Sequence, residues 1–130
     1  MNIKKLGPVG AEISGIDLSI VDNLPADKIL EAFLNYSVLI FKNQNLDPIS
    51  LSKIALIWGK PLIHPVFKGI EEHPEIIEIQ NLGEKYHTNA HWHSDVTFES
   101  EPPDATLLYS LEIPDEGGDT LFSNQYLAYE

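Results

Sequence analysis

The chain has 130 residues, the size of a single domain. Apolar residues make up 43% and charged residues 22%, which is typical of a globular protein and argues against a disordered or fibrous one. There is no Cys, which excludes disulfides and thiolate metal sites. No apolar run approaches the ~20 residues of a membrane helix, and no signal sequence is recognisable, so we expect a cytoplasmic protein.

The charge is strongly acidic and unevenly distributed. The formal net charge is −12, and all 8 basic residues are Lys. Residues 1–65 carry 6 acidic and 6 basic side chains, whereas residues 66–130 carry 14 acidic side chains and only Lys68 and Lys85 as basic ones. We therefore predict no nucleic-acid partner and no anionic membrane partner.

The first half predicts strands and two helices. Residues 5–18 are rich in Gly and are expected to form a strand with turns. Apolar side chains at positions 29, 30, 33 and 34 have helical spacing after Pro25, and residues 37–41 predict a short buried strand. Asp47 suits an N-cap, with Pro48 in the first turn of a second helix that ends near Gly59.

The second half predicts mainly strands joined by loops. Strands are expected at residues 76–79, 105–111 and 120–122, with a turn at residues 114–118. Helical spacing begins again near residue 125. This order predicts an α+β fold with a mainly antiparallel sheet or barrel.

The densest group of chemically active side chains is at residues 91–95, where two His and one Asp alternate with other residues. In an extended backbone, residues 91, 93 and 95 face one side. Imidazole and carboxylate ligands suit Fe(II), Mn or Zn, and two His with one carboxylate are typical of non-heme Fe(II) oxygenases. The alternative is a hydrogen-bonded surface pair. His73 and His87 have no partner pattern, and we expect both to be exposed.

Five stretches together resemble the taurine dioxygenase/2,4-D dioxygenase family of Fe(II)- and 2-oxoglutarate-dependent oxygenases. They are residues 6–18 (LGPVGAEISGIDL), 59–65 (GKPLIHP), 89–98 (NAHWHSDVTF), 101–103 (EPP) and 117–122 (GGDTLF). The resemblance covers the whole chain, with the motifs in the family's order. It implies a double-stranded β-helix, a clavaminate synthase-like jelly-roll barrel with flanking helices.

The resemblance also implies roles for individual residues. His93 and Asp95 resemble the first two metal ligands, and Thr120 resembles the residue whose hydroxyl contacts 2-oxoglutarate. The implied substrate-binding residues are His64, Phe67, Asn89 and Val96. Phe67 stands where the taurine enzymes carry a Tyr, so a hydroxyl donor is missing. The alternative for His64 is that it caps the loop after the second helix.

The activity implied by the resemblance uses Fe(II), 2-oxoglutarate and O2, and it yields succinate and CO2. The expected substrate is a small anionic organic molecule, most simply a sulfonate such as taurine. Alkyl sulfates and aryloxyalkanoates are alternatives within the family. A non-catalytic jelly-roll protein that binds a small ligand is the alternative of another class.

The chain departs from the family pattern in what it lacks. It has no Arg and no His after His93, whereas the family has a second His ligand and an Arg for 2-oxoglutarate further along. We therefore expect residues 1–130 to be the N-terminal part of a single domain and to be inactive alone. A homo-oligomer of the full-length protein is left open.

Overall fold

The computed structural model describes residues 1–80 and 91–130. Its regular structure begins with a three-stranded sheet, in which β1 (Asn2–Lys5) pairs antiparallel with β2 (Ala11–Ser14). Strand β3 (Leu39–Phe41) pairs with the other edge of β2 and runs parallel to it. The segment predicted as a strand with turns, residues 5–18, therefore belongs to a hairpin. The first strand of that hairpin begins before the predicted segment, at Asn2.

Helix α1 (Ala26–Tyr36) connects the two parallel strands and covers the sheet. Ala11, Ile13 and Ala32 form the buried cluster between helix and sheet, and Ile29 is also buried. The prediction of a helix here is confirmed. The expected apolar face included Leu34, and this part of the prediction was wrong, because Leu34 is 82% exposed. The buried side chains are spaced by three positions along the helix, and Leu34 lies outside that row.

Helix α2 (Pro48–Ala55) begins as its sequence predicts. Asp47 Oδ1 accepts the backbone N–H of Ser50 over 2.7 Å, and Pro48 occupies the first helical position. A 3₁₀ turn (Leu56–Trp58) extends the helix and ends at Gly59, whose φ of +117° favours glycine. Trp58 packs edge-on against Phe33 of α1, with ring centroids 5.7 Å apart.

Three predicted strands are wrong. The structure assigns no strand at residues 76–79, 105–111 or 120–122. Residues 105–109 do alternate between partly buried and exposed positions, as in a strand. A strand also needs a neighbour that accepts its hydrogen bonds, and within the described residues these segments have none. The observed sheet is small and mixed, so it does not by itself amount to a jelly-roll barrel.

The end of the chain is helical, as expected: α3 (Gln125–Tyr129) is capped by Asn124, whose side chain accepts the N–H of Leu127. The turn at residues 114–118 is present too, and Gly117 and Gly118 both have φ near +75°. Among the helices of the described residues, none has the length and apolar character needed to cross a membrane.

Candidate active site

His93 and Asp95 point toward each other. Nε2 of His93 lies 3.3 Å from Oδ1 of Asp95, and the two side chains are 53% and 47% exposed. Two metal–ligand bonds of about 2.1 Å at a right angle would separate their donor atoms by roughly 3 Å. The observed spacing therefore suits two donors that share one metal ion.

The second ring nitrogen of His93 fixes where its proton lies. Nδ1 is 2.7 Å from the backbone carbonyl of His91, which only accepts hydrogen bonds, so Nδ1 carries a proton. In the neutral ring, Nε2 then presents a lone pair to a carboxylate oxygen. Two such acceptors stay close together only if a cation lies between them or Nε2 is also protonated. A backbone carbonyl on the outer nitrogen is a common arrangement for a metal-binding His.

Thr106 holds the other oxygen of Asp95. Its hydroxyl donates to Oδ2 over 2.9 Å, which leaves Oδ1 facing His93. Sequence reasoning missed Thr106, because it lies 11 positions from Asp95 in a segment that was interpreted only as a strand. The alternation at residues 105–109 marks Thr106 as outward-facing, but no sequence signal names the residue it contacts.

The backbone after Asp95 turns instead of extending. Residues 95–98 form a turn, and the N–H of Glu99 donates to the carbonyl of Val96 over 3.1 Å. Val96 has a φ of +52°, a conformation that is rare for a β-branched residue. Strain of this kind costs about 1–3 kcal/mol and often occurs at functional sites.

His64 organises the loop that follows the second helix. Its Nδ1 accepts the backbone N–H groups of Val66 and Phe67, over 3.1 and 3.0 Å. The capping role considered as an alternative is thus observed. Because Nδ1 accepts two hydrogen bonds, the ring proton lies on Nε2, which remains able to donate. The substrate role of His64 stays a prediction.

The same ring joins this loop to the turn after Asp95. The His64 ring lies 4.8 Å from that of Phe67 and 6.2 Å from that of Phe98, measured between centroids. Phe98 ends the turn that begins at Asp95. His64 and the His93–Asp95 pair are therefore on neighbouring parts of the molecule, although 29 positions separate His64 from His93.

An open cavity of about 700 Å³ lies along this loop. Its walls are about equally polar and apolar, with one Lys and one Glu in addition to His64. The lining residues are Ile63, His64, Pro65, Val66, Phe67, Lys68, Gly69, Ile70, Glu71 and Pro74. A volume of this size is within the range of small-molecule sites.

One predicted site residue, Thr120, is not joined to this pair within the described part of the chain. Thr120 is exposed in an irregular segment, and the hydroxyl that contacts Asp95 belongs to Thr106. Asn89 lies outside the described residues. Within residues 1–80 and 91–130, no three His, Asp or Glu side chains form a group that could hold a metal ion. The described residues thus bring together the two side chains that the resemblance implies as metal ligands, and their ligand role stays a prediction.

The imidazole and carboxylate of the His93–Asp95 pair are ligand types that non-heme metal proteins use. The sequence profile of the "Taurine catabolism dioxygenase TauD, TfdA family" matches residues 2–130. The chain belongs to this family.

Three curated relatives give the match more detail. The chain is 37% identical over its whole length to the "Alkylsulfatase" of Acinetobacter baylyi and covers 41% of that protein. It is 32% identical over 95% of its length to the "Alpha-ketoglutarate-dependent sulfate ester dioxygenase" of Pseudomonas putida, again covering 41%. It is 29% identical over its whole length to the "Alpha-ketoglutarate-dependent sulfonate dioxygenase" of Saccharomyces cerevisiae and covers 35%. The chain therefore spans about two fifths of their length.

Proposed function

We propose that the full-length protein, meaning the complete protein to which this chain belongs, is an Fe(II)- and 2-oxoglutarate-dependent dioxygenase. Its substrate is a small organic sulfonate or sulfate ester. The observation that carries the proposal is the approach of His93 Nε2 to Asp95 Oδ1, 3.3 Å apart, in a chain of this family. The relatives' names, which refer to sulfate esters, alkyl sulfates and sulfonates, support the substrate class.

Residues 1–130 are then the N-terminal part of a single double-stranded β-helix domain. The support is that two relatives matched over nearly the whole chain are more than twice as long, since the chain covers 41% of each. The remaining part would contribute a second His ligand and an Arg for 2-oxoglutarate. A cytoplasmic location and the exclusion of nucleic-acid and membrane partners stay predictions from composition.

Fe(II) and 2-oxoglutarate, when bound, supply the O2 chemistry that hydroxylates a C–H bond and releases succinate and CO2. His93 Nε2 and Asp95 Oδ1 would hold the metal, and Thr106 would keep the Asp95 carboxylate turned toward it. Hydroxylation of the carbon beside sulfur or ester oxygen gives a product that breaks down to an aldehyde with sulfite or sulfate. Breakdown needs no further protein group.

The cavity residues would bind and orient the substrate. His64 Nε2–H can donate to a sulfonate or sulfate oxygen, and the Lys68 ammonium adds a positive charge nearby. Ile63, Val66 and Phe67 give the wall an apolar surface that suits an alkyl chain. Phe67 has no hydroxyl to donate, so we expect taurine, with its polar ammonium end, to react more slowly than an alkanesulfonate.

The test is substrate-dependent succinate formation by the full-length protein with Fe(II), ascorbate and 2-oxoglutarate. The substrates are 1-hexanesulfonate, hexyl sulfate, taurine and an aryloxyacetate. His93→Ala and Asp95→Ala are expected to lose at least about 100-fold in activity, since even a residue that only supports a ligand is worth 10–100-fold. His91→Ala is the matched control, because it keeps the carbonyl that holds His93.

Two results would contradict the proposal. One is full activity in the Asp95→Ala variant. The other is binding of these anions without any turnover, which would favour the non-catalytic jelly-roll protein.

A further inference from the structure

A second polar cluster lies apart from the His93–Asp95 pair and joins two distant segments. It consists of Ser52 on α2 with His73 and Glu75 from the turn at residues 70–76. The Ser52 hydroxyl donates to Glu75 Oε1, and Nδ1 of His73 lies 3.0 Å from the Ser52 oxygen and 3.3 Å from Glu75 Oε1. The side chains of His73 and Glu75 are only 20% and 18% exposed, so the expectation of an exposed His73 is wrong.

The proton positions in this cluster follow from its contacts. The Ser52 hydroxyl proton is used by Glu75, so His73 Nδ1 faces two acceptor oxygens and must carry a proton itself. The Ser52 hydrogen bond, followed by Glu75's own backbone N–H and by His73, holds the pKa of the Glu75 carboxyl below its usual value. All three groups are therefore satisfied while Glu75 is ionised.

The same geometry excludes a nucleophilic triad. In a Ser–His–acid triad, one ring nitrogen meets the hydroxyl and the other meets the carboxylate. Here Nδ1 of His73 faces both, and the Ser52 hydroxyl gives its proton to Glu75 directly. Ser52 is not activated by this arrangement, which leaves a structural connection as its function.

The turn that this cluster holds is itself a closed unit. The N–H of Ile70 donates to the carbonyl of Ile76 over 2.9 Å, and the N–H of Ile76 donates to the carbonyl of His73 over 2.9 Å. Gly69 lies so close to the backbone of Pro74 that no Cβ would fit at position 69. The turn therefore moves together with the loop before it.

That loop forms the wall of the cavity beside His64 and Phe67. In the described part of the chain, the side-chain hydrogen bonds that connect residues 63–80 to the rest of the molecule are those made by Ser52. The other side-chain hydrogen bonds of this segment stay within it. The position of the wall relative to α2 thus depends on this one cluster and on apolar contact.

We propose that Ser52, His73 and Glu75 are positioning residues that hold the cavity wall at residues 63–74 against α2 and so set the affinity for the organic substrate. The substrate part of this inference rests on the proposed function. None of the three is among the residues that line the cavity; they act through the turn and through His64 and Phe67, which line it.

The experiment uses the full-length protein with Ser52→Ala and Glu75→Gln, and with 1-hexanesulfonate and hexyl sulfate as substrates. The loss of a hydrogen bond to a charged group is expected to raise KM for these substrates about tenfold. The kcat and the KM for 2-oxoglutarate are expected to stay within about twofold, since the variants leave the residues that orient the bound substrate unchanged and none of the three residues is implied in 2-oxoglutarate binding. Ser52→Thr keeps the hydroxyl and should restore KM. Glu72→Gln removes an exposed charge from the same turn and is the matched control.

Hydrogen–deuterium exchange supplies a readout that does not depend on turnover. We expect faster exchange at residues 63–76 in Ser52→Ala and Glu75→Gln, with unchanged exchange in β1, β2 and α1, and with Ser52→Thr and Glu72→Gln like the wild type. If Ser52→Ala and Glu75→Gln exchange faster but the wild type turns over no substrate, the proposed function is refuted and the positioning role is kept. Unchanged exchange, or a fall in kcat with constant KM, would overturn the positioning role.

Discussion

At the scale of single residues, the two nitrogens of His64 have separate tasks. Nδ1 accepts two backbone N–H groups of its own loop, and Nε2 of this cavity-lining ring is left with a proton to donate. A side chain that replaces only one of these nitrogens can therefore separate loop structure from substrate binding.

We expect His64→Asn and His64→Gln to fail in different ways. The Asn amide oxygen can take the place of Nδ1, so His64→Asn should keep the loop and lose the donor, raising KM for hexyl sulfate about tenfold. The Gln amide can take the place of Nε2 but leaves the Val66 and Phe67 N–H groups without their acceptor. His64→Gln should therefore show faster hydrogen exchange at residues 64–68. Identical behaviour of the two variants would contradict this division.

Thr106 provides a second residue-scale prediction. Thr106→Val removes the hydroxyl that donates to Asp95 Oδ2 and keeps the side-chain shape, so the carboxylate loses its orientation. We expect Fe(II) affinity of the full-length protein to fall about 10- to 100-fold. Anaerobic titration with Fe(II) measures this, and Thr106→Ser, which keeps the hydroxyl, should bind nearly as tightly as the wild type. Equal affinity in Thr106→Val would show that Asp95 is held by other contacts.

At the scale of elements, α1 shows how burial differs along one helix. Ile29 is 1% exposed and Leu34 is 82% exposed, although both belong to the apolar set predicted from sequence. Ile29→Ala should lower the free energy of unfolding by about 2–5 kcal/mol, because it leaves a cavity where a fully buried side chain was. Leu34→Ala should stay within about 0.5 kcal/mol. Urea unfolding measures both, and a large loss for Leu34→Ala would mean that another part of the protein covers it.

The N-cap of α2 predicts a dependence on pH. The Ser50 backbone N–H, followed by the Ser50 side chain, holds the pKa of Asp47 below its usual value. The ionised Asp47 therefore stabilises the folded state fully at pH values above the ordinary Asp pKa of about 3.9. This stabilisation is lost as the pH falls through the lowered pKa that Asp47 has in the folded state.

Asp47→Asn isolates that effect, because the amide oxygen still accepts from Ser50 and does not titrate. The urea midpoint of the wild type should exceed that of Asp47→Asn at pH 7, and the difference should shrink below the ordinary Asp pKa of about 3.9 and vanish below the lowered folded pKa. Asp47→Ala is expected to be less stable than either at pH 7. A difference that persists unchanged at low pH would exclude titration of Asp47 as its cause.

At the scale of the whole molecule, the last segment exposes many large apolar side chains. Leu108, Leu111, Ile113, Leu121, Tyr126 and Tyr129 are all exposed. Soluble monomers rarely leave so much contiguous apolar surface uncovered. We expect the 130-residue chain to bind the dye ANS and to self-associate, and the full-length protein to do neither. A monomeric 130-residue chain that binds no dye would contradict this expectation.

The sequence predicted those features whose causes are local. Asp47 and Pro48 mark the start of α2 through contacts within four residues, and the spacing of apolar side chains marks α1. The two-residue spacing put the side chains at 91, 93 and 95 on one face, and the family resemblance selected His93 and Asp95 among them. The predicted strands at residues 76–79, 105–111 and 120–122 could not be judged in this way, since a strand exists only where another strand accepts its hydrogen bonds.

The sequence alone thus determined the helices, the N-cap of α2, the absence of disulfides, the acidic second half and the family. Only the tertiary structure decided that Thr106 holds Asp95 and that His73 is partly buried between Ser52 and Glu75. These partners are 11 and 21 positions apart in the chain. The side chains involved are chemically ordinary Ser, Thr and His, so nothing in their local sequence states what they contact. Such contacts arise only when the folded backbone brings distant segments together.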